Sequence, residues 1–156
     1  MKGLLRGRRA YIDTNVFVYV ATGHPEFYSA CMEVLEMVAK GEARGLGSHL
    51  VLFELFGALS KLSPVAAYEA ADAYLSLPIK LVAPTRRTLK VARDVAELAN
   101  VTYDALHAAL AAEGGAEIIV TEDLEHWRRI ASAWSKVARK HELGDLQVLS
   151  PTQGPL

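Results

Sequence analysis

Ala10-Tyr11-Ile12-Asp13-Thr14-Asn15-Val16 is the stretch on which the reading of this chain turns. Arg8 to Ile12 predicts a short buried strand that ends on an acid, and Asn15 to Ala21 predicts the helix after it. Open α/β sheets carry their sites just outside the carboxyl ends of their strands, so an acid placed there is a candidate for chemistry. The pattern recurs late in the chain. Glu117 to Val120 predicts a strand, and Thr121-Glu122-Asp123 closes it.

Working outward, helical spacing of Phe27, Cys31, Val34, Leu35 and Val38 predicts a helix over Pro25 to Lys40, with Gly41 and Gly45 punctuating its end. Ser48 reads as the N-cap of a helix from His49 to Lys61, and Ser63-Pro64 opens another through Ser76. Ile79 to Val82 predicts a strand. Thr85 caps a helix through Ala99, and Thr102 caps the next, which ends near Gly114-Gly115. Asp123 to His141 reads as largely helical, Leu146 to Leu149 as a last strand, and Ser150 to Leu156 as a tail trailing off the domain. Short apolar strands alternating with helices predict an α/β domain with a parallel sheet.

With 156 residues the chain suits one domain around one core, and a 51% hydrophobic content excludes a disordered one. The formal net charge of −1 excludes a global field that draws in nucleic acid, so such contact must be local. Two basic clusters stand out: Lys2, Arg6, Arg8 and Arg9, and Arg128, Arg129, Lys136, Arg139 and Lys140. Either also suits an ordinary solvated surface. The single cysteine, Cys31, lies in a helical pattern and reads as a small core residue. Tyr11 to Ala21 is interrupted by Asp13 and Asn15 and fails as a signal-peptide core, and no apolar run spans a bilayer. A cytoplasmic protein without membrane contact is the expectation.

Two further acids join Asp13 and Asp123. Glu54 interrupts the apolar run Leu50 to Phe56, and Asp104 opens the Ala-rich stretch Asp104 to Leu110. Each aspartate, taken singly, also suits a helix cap. Glu54 is mid-helix and has no such role. If the fold gathers all four, their repulsion makes a divalent cation the natural solution. Carboxylates suit Mg²⁺ or Mn²⁺. The five histidines, His24, His49, His107, His126 and His141, show no ligand spacing for zinc, and His107 reads as a packed or hydrogen-bonding residue.

Together these motifs resemble the PIN domain, a metal-dependent ribonuclease fold. The resemblance runs from about Arg8 to Ser150, through Tyr-Ile-Asp13-Thr14-Asn15-Val, Ser48 followed by the helix with Glu54, Tyr103-Asp104-Ala-Leu-His107-Ala-Ala-Leu-Ala, and Ile-Ile-Val-Thr121-Glu122-Asp123. It implies a single PIN-like domain over residues 1–156, built as a three-layer α/β/α sandwich around a central, mainly parallel sheet. It also implies an endoribonuclease using Mg²⁺ or Mn²⁺ on single-stranded RNA, with Asp13, Glu54, Asp104 and Asp123 as catalytic and metal residues. Glu54 either ligates the metal or orients the attacking water. Asn15 and Thr121 would hold the carboxylates or contact phosphate, and Arg128 and Arg129 would line a route for RNA. Where the family often carries a further acid and a Phe, this chain has Leu124-Glu125-His126-Trp127, which nominates Glu125 as the acid. The layout is similar to the toxins of VapBC-type toxin–antitoxin pairs, implying an antitoxin partner and a homodimer.

Three rivals are weaker. A haloacid-dehalogenase-type phosphatase needs a second Asp where Asn15 stands. A receiver domain needs an acidic pair and a late Lys that are not evident. A non-catalytic PIN-like module that binds RNA or a protein would not need four acids.

Overall fold

The computed structural model describes all 156 residues. Its centre is a six-stranded sheet in the order β3-β2-β1-β4-β5-β6, where β1 is Arg9–Ile12, β2 Arg44–Ser48, β3 Ile79–Val82, β4 Ile118–Val120, β5 Gln147–Ser150 and β6 Gly154–Pro155. Every neighbouring pair is parallel except β5 with β6. The helices are α1 Lys2–Leu5, α2 Thr14–Ala21, α3 Tyr28–Ala39, α4 His49–Ser60, α5 Pro64–Ser76, α6 Arg86–Ala99, α7 Tyr103–Glu113 and α8 Leu124–His141.

Ile118, Ile119 and Val120 are all fully buried, so both faces of the sheet are covered. Contacts at β2 identify the covers. Gly45 and Gly47 lie against Val38 of α3 and Tyr74 of α5, whereas Leu46 between them meets α7 at Gly114. The architecture is therefore the expected three-layer α/β/α sandwich. The chain winds outward from β1 to β3, then returns to place β4 on the other side of β1. The strand order reverses at the β1–β4 seam, which is where such sheets bind ligands.

Three expectations are corrected. Arg44–Ser48 is a strand, where the sequence predicts none and Gly45 reads only as punctuation after the helix. Its glycines are there because a Cβ at Gly45 would come 2.7 Å from Val38 Cγ1, and one at Gly47 would collide with the Tyr74 hydroxyl. The tail does not trail off. Gly154–Pro155 pairs with β5, and the Leu156 amide donates to the Val148 carbonyl at 3.1 Å. Glu122 fastens the connecting turn by accepting from Ser150 Oγ, the Thr152 amide and Thr152 Oγ1. Finally, α3 starts at Tyr28 because the Glu26 and Phe27 amides donate to His24 Nδ1 in a separate turn.

The amino-terminal basic cluster is largely matched by the protein's own acids, through Lys2–Glu33, Arg6–Glu42 and the pairs of Arg8 and Arg9 with Glu117. Arg9 also starts β1, at the end of the strand opposite Asp13. On the other side of the molecule Asp94 of α6 accepts from Lys140 Nζ (2.8 Å) and His141 Nε2 (2.7 Å) of α8. It also accepts from Arg93 Nε (3.0 Å). The Lys140 and His141 bonds chiefly hold its carboxyl far below the ordinary range.

Gly47→Ala forces Tyr74 off Ser48 and should cost about 1–3 kcal/mol of stability in urea unfolding; an unchanged midpoint would disprove the packing account. Asp94→Asn should cost about 1 kcal/mol at neutral pH, since its partners Lys140 and Arg93 are largely exposed. The native carboxyl is depressed, so its stabilisation is present above the unfolded value of about 4 and lost as pH falls toward the native one. The gap between wild type and variant should accordingly close on acidification below about pH 4.

Candidate metal centre

Asp13 leaves β1 as the N-cap of α2 and is only 3% exposed. A buried carboxylate needs donors, and this one has four. Oδ1 accepts from the Thr14 amide at 2.7 Å. Oδ2 accepts from Asn15 Nδ2 (3.0 Å), Thr121 Oγ1 (2.8 Å) and Trp127 Nε1 (3.2 Å). Asn15 Oδ1 in turn accepts from the Glu122 amide, and Thr121 Oγ1 accepts from the Asp123 amide. Asn15 and Thr121 thus tie the end of β1 to the end of β4 and bond the Asp13 carboxylate.

Glu54 sits two turns into α4, half-buried, and reaches the same edge. It accepts from Thr14 Oγ1 (2.8 Å) and from His107 Nε2 (2.5 Å). His107, on α7, is 1% exposed, and its Nε2 is also 3.9 Å from Asp13 Oδ1. Behind it, His107 Nδ1 is 2.9 Å from the Tyr11 hydroxyl, which is 2.7 Å from Ser48 Oγ. Tyr74 Oη closes the line by accepting from the Ser48 amide and donating to the Ser48 carbonyl. With His107 neutral, Ser48 donates to Tyr11, Tyr11 to Nδ1, and Nε2–H to Glu54, so each group in the line is satisfied. Burial works against a charge on Glu54, but the bonds from His107 and Thr14 outweigh it and hold its carboxyl below the usual value. Burial likewise opposes a charge on His107, but the Glu54 bond and the nearby Asp13 charge raise its value overall. The reading of His107 as a hydrogen-bonding residue stands.

Asp104, in the first turn of α7, faces Asp123, the N-cap of α8. Between them lies His126, with Nδ1 2.6 Å from Asp104 Oδ2 and 3.0 Å from Asp123 Oδ2. Burial and the Asp13 charge raise the Asp104 value, and the His126 bond only partly offsets them.

The structure thus places the four acids in two linked groups, Asp13 with Glu54 and Asp104 with Asp123, at the β1–β4 seam. Glu125 is exposed and bonds to none of them, whereas His126, one residue on, lies between Asp104 and Asp123. The statement that the histidines lack ligand spacing is corrected for His126. The available signal was Asp123-x-x-His126 at a helix start, a spacing that puts both on one face. Arg128 is exposed, while Arg129 donates from Nη1 to the Asn100 carbonyl at the end of α6. No Lys or Arg pairs with any of the four acids, and the two imidazoles are the only basic side chains bonded to them. One donor atom each from Asp104, Asp123 and His126 lie within 4.8 Å of one another, a spacing that could hold a metal ion. An oxygen-rich donor set with excess negative charge fits a hard divalent cation.

A family model described as PIN domain matches residues 10–145. Among solved structures, DNA-bound VapBC from Salmonella typhimurium is similar, with TM-score 0.65, 20% identity and coverage of 92% of this chain and 98% of that one. VapBC-1 from nontypeable Haemophilus influenzae gives 0.63, 16%, 93% and 99% in the same order. A Mycobacterium tuberculosis VapC toxin described as cleaving the sarcin–ricin loop gives 0.62, 17%, 76% and 93%. At such identities these likenesses speak for the fold. No curated protein matches the chain.

His107→Leu removes the partner of two groups at once, the Tyr11 hydroxyl and the Glu54 carboxylate. It should cost about 2–3 kcal/mol in chemical denaturation, more than Tyr11→Phe, which also unpairs two groups, Ser48 Oγ and His107 Nδ1, but neutral ones, and leaves the Glu54 carboxylate paired. Equal costs for the two would contradict the arrangement.

Proposed function

The chain belongs to the PIN domain family, and we propose that it is a Mg²⁺- or Mn²⁺-dependent endoribonuclease of single-stranded RNA, the toxin of a toxin–antitoxin pair. The observation that carries this reading is the convergence of Asp13, Glu54, Asp104 and Asp123 on one sheet edge without a Lys or Arg to balance them. VapBC structures, and a separate VapC toxin described as cleaving the sarcin–ricin loop, support the same class.

In this reading Asp13, Asp104 and Asp123 hold the ion. Glu54, oriented by His107 and Thr14, accepts a hydrogen bond from the attacking water and aligns it. Asn15 and Thr121 keep Asp13 from turning. When bound, the ion supplies positive charge to the phosphodiester and eases ionisation of the nucleophile. Arg128, free on the surface of α8, offers a contact for the RNA backbone; Arg129 is the weaker candidate because of its bond to Asn100. Net charge near zero makes that attachment salt-sensitive and local.

The partner surfaces fit the same class. An apolar groove of about 570 Å³ between α2, α3, α4 and α5, lined by Phe17, Val20, Leu35, Leu55, Leu59 and Leu62, suits an amphipathic antitoxin segment. Phe53, Phe56, Tyr68 and Leu75, exposed on α4 and α5, suit a homodimer contact. No helix is long and apolar enough to cross a membrane. The cytoplasm, where RNA and antitoxin are available, is the proposed location.

Single-stranded RNA should be cut internally with Mg²⁺ or Mn²⁺, left intact with a chelator, and preferred over duplex DNA. Asp13→Asn and Glu54→Gln should each lower the rate at least about hundredfold, and Arg128→Ala should weaken RNA binding and reduce its salt slope by about one. Cleavage that survives the chelator, or equal cutting of DNA, removes the protein from this class.

A further inference from the structure

His126 is the one imidazole of the acidic edge that lies open to solvent. Its side chain is 42% exposed, against 1% for His107. His107 is enclosed by Tyr11 and Glu54, each on its own nitrogen. His126 directs Nδ1 into the gap between two carboxylates on different helices and leaves Nε2 without a protein partner. The backbone prepares this. Asp123 caps α8, accepting from the His126 amide, so the side chains at the cap and three residues on share one face.

The distances are those of a coordination sphere. An octahedral ion with bonds of about 2.1 Å puts adjacent donor atoms about 3 Å apart. Nδ1 lies 2.6 Å and 3.0 Å from the two oxygens, and all three donors fall within 4.8 Å of one another. A histidine here also changes the chemistry of the set. An imidazole nitrogen is a softer donor than a carboxylate oxygen and favours transition ions over Mg²⁺.

We propose that His126 ligates, through Nδ1, the ion held by Asp104 and Asp123, and that this nitrogen biases the centre toward Mn²⁺ over Mg²⁺. The proposal rests on the metal-centre reading above. The competing account is that a protonated His126 stands in the cation's position and must be displaced for the ion to enter. The two predict opposite effects of removing the ring.

Mn²⁺ and Mg²⁺ are titrated calorimetrically into the full-length wild type, His126→Ala and His126→Asp, and pulsed electron paramagnetic resonance reads nitrogen coupling to bound Mn²⁺. Wild type should show directly bonded nitrogen, absent in both variants. His126→Ala should weaken Mn²⁺ binding at least about tenfold, the least that losing even an outer-shell partner costs. His126→Asp should recover affinity while losing the preference for Mn²⁺. Thermal melts without metal report whether each variant is folded. Tighter Mn²⁺ binding by His126→Ala establishes the displaced cation and overturns the proposal. So does Mn²⁺ bound in wild type without nitrogen coupling, which leaves the acidic metal centre standing. Absence of Mn²⁺ binding in wild type overturns both. Intact nitrogen coupling in a protein that cuts no RNA overturns the ribonuclease reading alone.

Discussion

The burial of Asp13 is the constraint on which the rest of the site depends. A carboxylate this enclosed is tolerable only with its oxygens matched. Its donors come from three places: Thr14 and Asn15 after β1, Thr121 after β4, and Trp127 on α8. Each donor has a second task. Thr14 also holds Glu54, Asn15 also binds the Glu122 amide, Thr121 also takes the Asp123 amide, and Trp127 is fully buried in the core. Satisfying one charge therefore registers β1 against β4 and sets the start of α8, which fixes where Asp123 and His126 stand.

A second polar line runs the other way, from Glu54 through His107, Tyr11 and Ser48 to Tyr74. Tyr74 also lines the apolar groove between α2 and α5, so the site and the groove share one continuous hydrogen-bonded wall. Burial pushes the Tyr74 hydroxyl up to about 12, despite its bond to Ser48, and raises that of Tyr11 well above the usual value. Both phenols stay neutral across ordinary pH and act as fixed dipoles. Gly47 belongs to this line although it has no side chain, because only glycine leaves room for the Tyr74 hydroxyl.

Much of this was legible in the sequence because the relevant signals are local. Asp13 and Asp123 each follow an apolar run, Ser48 and Ser63 cap their helices as read, and the four acids recur in a recognisable order. What was not legible depends on contacts between distant segments. The strand Arg44–Ser48 goes unread because Gly45 suits both a helix stop and a strand pressed under Val38. The tail looks unattached because its anchor, Glu122, is remote in sequence. Glu125 was preferred to His126 because charge type is visible in a sequence, whereas the direction a side chain takes from the first turn of a helix is set by its cap. Arg129 looks as free as Arg128 until the end of α6 supplies its acceptor.

The edge that results is electrostatically divided. In one half, Glu54 and Asp13 share an enclosed imidazole and a ring of neutral donors, so their oxygens are largely hydrogen-bonded before any ligand arrives. In the other, Asp104 and Asp123 face each other across a solvent-accessible His126, and burial with the Asp13 charge raises the Asp104 value. A cation gains most where negative charge is least compensated and desolvation is smallest. A cation bound at this edge would therefore enter from the Asp104–Asp123 side. The Asp13–Glu54 side, already rigid, is suited to orientation, because its geometry does not have to reorganise when the charge at its neighbour changes.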